Sequence, residues 1–228
     1  MKVLGLDTAT SGCSAAVWNG TIPGGRLTVR RSAPMARGQA EVLVPLAQAA
    51  LEEAGVGFGD LDRIAVTVGP GAFTGLRIAL ATARGIAVAR GLPVIGITTF
   101  DAVAHGLPAT ERAGHTVLVA VDSRRAEPFL QLFDAGLVPV GAPAMLQPAA
   151  VPAWLATHGI AGPLLVAGDG APLLRPALDE WGSASLATGD GLPDAAVVAT
   201  LGAARPAGLP AQPFYLRPPD VTLPKPRP

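Results

Sequence analysis

The amino-acid sequence predicts an α/β protein made of two related halves. Strand-like and helix-like segments alternate through the first half, in the order typical of an α/β layer. A buried-strand pattern that ends in an aspartate occurs twice, at Asp7 and at Asp122. Of the 228 residues, 50% are hydrophobic and only 15% are charged, so the chain can bury a large core.

The elements of the first half are predicted from periodicity and turn residues. Apolar runs predict strands at residues 2–6, 13–18, 26–31, 64–68 and 94–97. Helical spacing of apolar residues predicts one helix at 39–54 and a second at roughly 75–90. Pro45 inside the first helix predicts a late start or a kink, because proline removes one helical hydrogen bond.

The second half repeats this order. Strands are predicted at 115–121, 127–133 and 164–167, and the last of them runs into Gly168-Asp169-Gly170 and a helical stretch. We therefore predict two α/β subdomains, 1–104 and 105–228. A chance similarity between two generic strand–turn units is the alternative. Proline is frequent from Pro206 onward, which predicts an extended tail on the surface.

Composition and spacing argue against several classes of protein. Seventeen cationic and 17 anionic side chains cancel, so no basic field exists to hold the phosphates of a nucleic acid. Cys13 is the only cysteine, which excludes an intramolecular disulfide and a cysteine-rich zinc site. The histidines at 105, 115 and 158 lack the spacing of metal ligands, so no metal site is expected.

Targeting signals are also absent from the sequence pattern. The carboxylate of Asp7 interrupts the first apolar run too early for a signal peptide. No stretch reaches the roughly 18 apolar residues that a membrane span needs. We expect a cytoplasmic protein with no membrane contact.

Two groups of residues are candidates for a nucleotide site between the halves. Polar side chains and glycines follow the first strand of each half and the strand at 164–167. A metal–nucleotide phosphate could lie between such strand ends in a duplicated α/β protein. The candidate residues are Asp7, Thr8, Thr10, Asp122, Gly168 and Gly170. As an alternative, each aspartate caps a turn through its own backbone N–H groups.

The glycine-rich loop at 69–75 lies between a strand and a helix, where backbone N–H groups can hold an anion. It lacks the terminal lysine of a P-loop, and Thr74 stands where a Rossmann fingerprint has its third glycine. The alternative is a tight turn that docks the helix on the sheet. Nothing in the sequence forms a convincing catalytic constellation.

The helix that follows this loop is apolar nearly all round, so it needs a cover on more than one face. Small residues recur every fourth position in it, and we predict that this ridge faces outward to a partner protein. The alternative is that the helix at 39–54 supplies the cover unaided. The predicted partner-binding residues are Val42, Leu46, Gly75, Leu76, Ala79, Leu80, Ala83 and Ala87.

The run Gly-Pro-Gly-Ala-Phe-Thr-Gly-Leu-Arg at 69–77 resembles the TsaB family. This family is the smaller, non-catalytic paralogue in bacterial synthesis of threonylcarbamoyladenosine on tRNA. Further similar segments lie at 3–10, 40–45, 120–124 and 213–217. One departure is Gln39, since the family often has histidine at this position.

The resemblance implies an actin-like, sugar-kinase-like (ASKHA) fold of two ribonuclease-H-like subdomains. It implies a scaffold and activator without a cofactor, which binds the TsaD transferase as a heterodimer while the TsaE ATPase joins the assembly. Contact with tRNA would come only through the complex, and the isolated chain could form a homodimer. TsaD proteins carry a His-x-x-x-His metal motif that this sequence lacks.

Two enzyme hypotheses stand beside the scaffold. The first is a nucleotide-binding ATPase or phosphotransferase of the actin-like superfamily that uses the candidate nucleotide residues. The second is the catalytic transferase itself, which the missing histidine pair makes the weaker of the two.

Overall fold

The computed structural model describes residues 1–21, 27–207 and 211–217. Two five-stranded sheets with helices on their faces form an α/β protein. The strands are β1 Lys2–Asp7, β2 Gly12–Asn19, β3 Leu27–Pro34, β4 Arg63–Gly69, β5 Val94–Thr98, β6 Thr116–Val121, β7 Phe129–Phe133, β8 Pro139–Met145, β9 Leu164–Ala167 and β10 Ala184–Leu186. The helices are α1 Gln39–Glu53, α2 Phe73–Arg90, α3 Thr99–Gly106, α4 Ala109–Arg112, α5 Val151–Thr157, α6 Ala171–Leu178 and α7 Ala195–Ala204.

The two sheets have the same topology. The first has the order β3-β2-β1-β4-β5, and the second, taken in the same direction, has β8-β7-β6-β9-β10. In each sheet the first three strands pair antiparallel, and the remaining two are added in parallel. This equivalence confirms the prediction of two related halves.

Most predicted elements of the first half lie within two residues of the observed ones. The third predicted strand begins at a position outside the described residues. Helix α1 already begins at Gln39, so Pro45 does not delay its start. The sequence does not predict helices α3, α4, α5 and α7 or strands β8 and β10. In the part of the chain that the structure describes, no helix has both the length and the hydropathy of a membrane span.

The first sheet is covered on both faces. Leu4 and Leu6 of β1 belong to a core with Leu43 of α1 and Ala79 of α2. Val3, which points to the other face, packs in a cluster with residues of α7. Because successive strand residues alternate between faces, a strand buried on both sides has consecutive apolar residues, as β1 has at 3–6 and β4 at 64–66.

One helix that follows each sheet packs against the other sheet. Phe100 and Val103 of α3, which follows the first sheet, belong to a core with Val117 and Val119 of the second sheet. Helix α7, which follows the second sheet, lies on the first. The division into subdomains 1–104 and 105–228 remains a prediction, and residue 104 falls inside α3.

Two glycines allow α7 to approach the first sheet closely. A methyl group added at Gly5 would overlap the carbonyl oxygen of Ala195, and one added at Gly202 would overlap the Cβ of Ala65. Backbones this close leave no room for a side chain, so α7 is part of the fold of the first half.

The C-terminal segment is held more tightly than a surface tail. Ala211 is buried, and its carbonyl oxygen accepts a hydrogen bond of 2.6 Å from Arg84 of α2. The N–H of Phe214 donates to the carbonyl of Val68 at 2.7 Å. The prediction of an extended surface tail is wrong for 211–214, and residues 218–228 lie outside the described part.

Replacing Gly85 with alanine is expected to raise the free energy of unfolding by about 0.5–1 kcal/mol, because it removes backbone entropy from the unfolded chain. Gly85 lies within α2, is exposed, and has no atom within 4 Å of an added Cβ. Urea unfolding of both proteins measures the difference. Gly75→Ala is the counterpart on the same helix: its methyl would overlap the carbonyl of Thr8 and should destabilise the protein.

Candidate functional site

Asp7 stands at the end of β1 and is only 1% exposed. Its Oδ1 accepts hydrogen bonds from the N–H of Ala9 at 3.1 Å and from the hydroxyl of Thr67 at 2.6 Å. Burial raises the pKa of the Asp7 carboxyl from 3.8 to about 7, against the lowering effect of both hydrogen bonds. The structure therefore shows the alternative arrangement, in which Asp7 caps its own turn.

Asp122, at the equivalent position in the second half, caps its turn in the same way. Its Oδ1 accepts from the N–H of Arg124 at 2.7 Å, and its Oδ2 lies 3.2 Å from that guanidinium. Arg124 also donates to the hydroxyl of Ser11, which follows β1. The loops that follow the first strand of each half are therefore joined by one arginine.

The glycines of Gly168-Asp169-Gly170 bring the protein's own backbones together. A Cβ at Gly168 would overlap the carbonyl of Ala120, and one at Gly170 would lie 3.0 Å from the nitrogen of Asp122. Burial raises the pKa of the Asp169 carboxyl, which accepts a hydrogen bond from the N–H of Asp122. Close packing of strand ends explains why glycine is needed here.

The six predicted nucleotide-site residues are thus only partly brought together. Asp7 and Thr8 are buried, and the hydroxyl of Thr8 donates to the carbonyl of Gly75 at 2.6 Å. A cleft of about 630 Å³ between the halves is lined by Asp169 and by the acidic residues Asp190 and Asp194. Neither Asp7 nor Thr8 lines that cleft, and the nucleotide site remains a prediction.

Asp7→Asn is expected to stabilise the protein at pH 8 and to leave its stability nearly unchanged at pH 4. The folded state holds the Asp7 proton up to a pKa of about 7, so its contribution to stability is complete below 3.8 and is lost as the pH rises through 7. The asparagine side chain does not titrate, so the variant does not lose stability in this way. The difference in the free energy of unfolding at high pH is at most roughly 4 kcal/mol. Urea unfolding between pH 4 and pH 8 measures it, with the exposed Asp179→Asn as the control. A gap between the two proteins that does not widen with pH would contradict the burial of a titrating Asp7.

The glycine-rich loop docks α2 against the end of β1. The N–H of Ala72 donates to the carbonyl of Ala9 at 2.7 Å, and a Cβ at Gly71 would overlap that same carbonyl. Gly69 has φ 117°, a conformation that favours glycine, and a Cβ added there would lie 2.6 Å from the carbonyl oxygen of Phe214. These contacts agree with the tight-turn alternative for the loop.

The prediction that the ridge of small residues on α2 faces outward is wrong. The ridge lies on the first sheet, because hydrogen and methyl groups let the helix approach the strands closely. Six of the eight predicted partner-binding residues are buried within the isolated chain: Gly75, Leu76, Ala79, Leu80, Ala83 and Ala87. Val42 and Leu46 of α1 are half-buried.

A different set of α2 residues is accessible. Five accessible positions follow one another at spacings of four, three, four and three residues: Thr74, Ile78, Ala81, Gly85 and Val88. Ile78 is half-buried and the other four are exposed. We call these five residues the outer face of α2. Val88 is 86% exposed, and Val44 of the neighbouring α1 is 40% exposed. The heptad-like spacing of these five residues is the feature of the sequence from which this face could have been predicted.

A second, larger cavity of about 1130 Å³ lies where the N-terminal ends of α1 and α2 meet the loop 123–125 and the segment 214–217. We call it the arginine cavity. The sequence does not predict this cavity, because its walls come from five separate segments: 10–11, 36–41, 70–78, 123–129 and 214–217. The charged residues that line it are Arg37, Glu41, Arg124, Arg125 and Arg217.

Thr10 lines the arginine cavity and is 6% exposed. Among the described residues, no group donates to or accepts from its hydroxyl. Gln39, at the start of α1, donates from Nε2 to the carbonyl of Met35 at 3.3 Å. No cluster of three or more histidine, cysteine, aspartate or glutamate side chains in the described ranges is arranged to hold a metal ion.

Two duplicated α/β halves with a cleft between them define a protein of the actin-like and sugar-kinase-like fold class. A solved ROK hexokinase from Thermus thermophilus shares this fold, with a TM-score of 0.51 at 17% identity over 90% of this chain and all of that one. YeaZ from Pseudomonas aeruginosa is more similar: 30% identity and a TM-score of 0.73 over 94% of this chain and 99% of that one.

The chain belongs to the TsaB (YeaZ) family. The tRNA threonylcarbamoyladenosine biosynthesis protein TsaB of Escherichia coli is 35% identical over 128 residues, which are 56% of this chain and about half, 52%, of that protein. An uncharacterised protein of Mycobacterium tuberculosis is 34% identical over 96% of this chain and 93% of its own length. Residues 34–139 match the family model of TsaD, the tRNA N6-adenosine threonylcarbamoyltransferase.

Proposed function

We propose that this protein is a non-catalytic subunit of a tRNA threonylcarbamoyladenosine synthesis complex, which binds the TsaD transferase and assembles with the TsaE ATPase. The observation that carries the proposal is the outer face of α2. It is apolar or small at every position, and four of its five residues are exposed; only Ile78 is half-buried.

The match to the transferase model supports the identity of the partner. Residues 34–139 include α1 and α2 in full, so a TsaD protein is similar to this chain over the same helices. Related subunits commonly meet through the same surface on each side of a twofold or pseudo-twofold axis. We therefore place two helices from each subunit in a shared bundle.

The side chains of the outer face suit such a bundle. Ala81 and Gly85 lie at its centre and carry a methyl group and a hydrogen, so a partner helix can approach closely. Val88 and Ile78 supply apolar area on either side. In the absence of TsaD the same surface would pair two copies of this chain as a homodimer.

Several features support an accessory role. The carboxylates of Asp7 and Asp122 are engaged in turns of their own chain rather than held open for a substrate. The equal numbers of cationic and anionic side chains make tRNA contact through the complex the simpler arrangement. As part of the same proposal, we expect a tRNA-modifying complex of this kind to act in the cytoplasm.

Co-purification with TsaD, followed by a threonylcarbamoyl-transfer assay in which each protein is omitted in turn, tests the proposal. We expect a stable complex with TsaD and no transfer by this chain alone. Transfer without TsaD would overturn the accessory role. ATP hydrolysis by this chain alone would instead favour the nucleotide-binding enzyme of the actin-like superfamily.

A further inference from the structure

We propose that the TsaD-binding surface of this chain extends beyond the outer face of α2 onto two exposed aromatic side chains, those of Phe73 and Tyr215. We call these two residues the aromatic pair. The inference rests on the proposed function, because it takes TsaD as the partner of the outer face. Three observations carry it: the position of the pair beside that face, the contact between the two rings, and the fixed segment that holds Tyr215.

The aromatic pair lies where the exposed apolar side chains of the protein are concentrated. In the described part of the chain, the large hydrophobic side chains that are exposed are Val44, Phe73, Val88, Val138, Leu173 and Tyr215. Four of these six belong to α1, to α2 or to the segment 211–217. Exposed apolar side chains that collect in one region are typical of a surface that binds another protein.

The two rings contact each other although both are open to solvent. Phe73 is 45% exposed and Tyr215 is 41% exposed. Their ring centroids are 5.5 Å apart, with 32° between the ring planes. The guanidinium of Arg77, one turn further along α2, lies 3.8 Å from the centroid of the Phe73 ring. Aromatic and arginine side chains carry much of the binding energy of protein interfaces, so this stack suits a contact with a partner.

The aromatic pair is continuous with the outer face of α2. Phe73 directly precedes Thr74, the first residue of that face, and both line the arginine cavity together with Tyr215. Arg84 lies about three turns beyond Phe73 on the same side of α2 and donates to the carbonyl of Ala211 at 2.6 Å. The segment 211–217 therefore runs beside α2, and a helix of TsaD on the outer face would have the aromatic pair at its edge.

Tyr215 is held in place by the residue that precedes it. The N–H of Phe214 donates to the carbonyl of Val68 at 2.7 Å. The side chain of Phe214 packs against the core beneath α1 and α2 and also against the core that contains residues of the second sheet. A side chain on an anchored segment loses less conformational freedom when a partner binds. The aromatic pair is therefore arranged for binding before TsaD arrives.

Surface plasmon resonance of the full-length chain with purified TsaD tests the inference. Phe73→Ala and Tyr215→Ala are each expected to weaken TsaD binding about tenfold or more. Tyr215→Phe keeps the ring and should bind nearly as the wild type does, because the contact is made by the ring. Leu173→Ala is the matched control: it removes a 43% exposed apolar side chain from α6 of the second half and should leave TsaD affinity unchanged.

The double variant that combines Phe73→Ala with Tyr215→Ala has a further readout. Because each ring supports the other, the double variant should lose clearly less affinity than the product of the two single losses. Urea unfolding of the isolated chain shows whether each variant is folded. Both rings lie at the surface, so we expect the unfolding transitions to stay close to that of the wild type.

The possible results separate this inference from the proposed function. Equal TsaD affinity for both single alanine variants and Leu173→Ala, together with a loss for Ala81→Arg at the centre of the outer face, would overturn the inference alone. If the wild-type protein forms no complex with TsaD, the proposed function fails and the inference fails with it. A loss confined to self-association would assign the aromatic pair to a second copy of the chain. A loss confined to tRNA binding by the isolated chain would make the pair a base-stacking surface, and either result would overturn the inference.

Discussion

Ala83→Arg is expected to destabilise the isolated protein by roughly 4 kcal/mol or more, enough to leave a large part of it unfolded at ordinary temperatures. Ala83 is 0% exposed and belongs to the core between α2 and the first sheet. A guanidinium at this position would have to displace well-packed neighbours, and its charge would have no partner. Either effect alone is large, and here they act together.

Ala81→Arg is the matched control for this prediction. Ala81 lies two residues earlier on the same helix and is exposed, so the same substitution should change the free energy of unfolding by no more than about 0.5 kcal/mol. Urea unfolding followed by circular dichroism measures both. If Ala83→Arg folds as stably as Ala81→Arg, the ridge of small residues does not lie on the sheet and the fold of α2 is wrong.

Ala81→Arg is in turn expected to weaken the complex with TsaD while the isolated chain stays folded. The long cation would stand at the centre of the outer face of α2, where a close-packed helix pair leaves no room for it. Overpacking and an unpaired charge in an interface cost roughly 1–3 kcal/mol or more each, so affinity should fall at least tenfold.

Analytical ultracentrifugation or surface plasmon resonance with purified TsaD measures this loss. Ala156→Arg is the control, because Ala156 is exposed on α5 of the second half and lies outside the proposed bundle. TsaD affinity that is the same for Ala81→Arg and for Ala156→Arg would place the interface elsewhere on the protein. Such a result would leave the core position of Ala83 untouched.

Sequence reasoning reached the fold because its signals are local or repeated. One strand ends at Asp7 and another ends just before Asp122, and each is a short apolar run followed by a polar residue. Such a run can be recognised in the sequence without knowing which segments pack against it. The glycines at 69–71 and at 168–170 mark the same point in each half. Their repetition predicted a duplication that the sheet orders confirm.

The candidate sites were harder to predict, since they depend on contacts between distant segments. Thr8 and Thr10 look alike in the sequence, yet the Thr8 hydroxyl donates to the carbonyl of Gly75, whereas the buried Thr10 hydroxyl has no hydrogen-bond partner among the described residues. Asp7 also looks open to a ligand at the end of a strand. It is closed off because Thr67 of β4 and the backbone of Ala9 occupy its oxygen.

The amino-acid sequence was enough to predict the order of β1 to β5 with α1 and α2, the repeat, and the need for α2 to be covered on more than one side. Which side of α2 meets the first sheet is known only from the packing of the folded chain. Helix α2 is apolar nearly all round and its polar stripe, with Arg77 and Arg84, is narrow, so the side that meets the sheet follows mainly from shape. The ridge through Ala79 and Ala83 allows the closest approach to the strands, and the stripe through Ala81 and Val88 is therefore left to the outside.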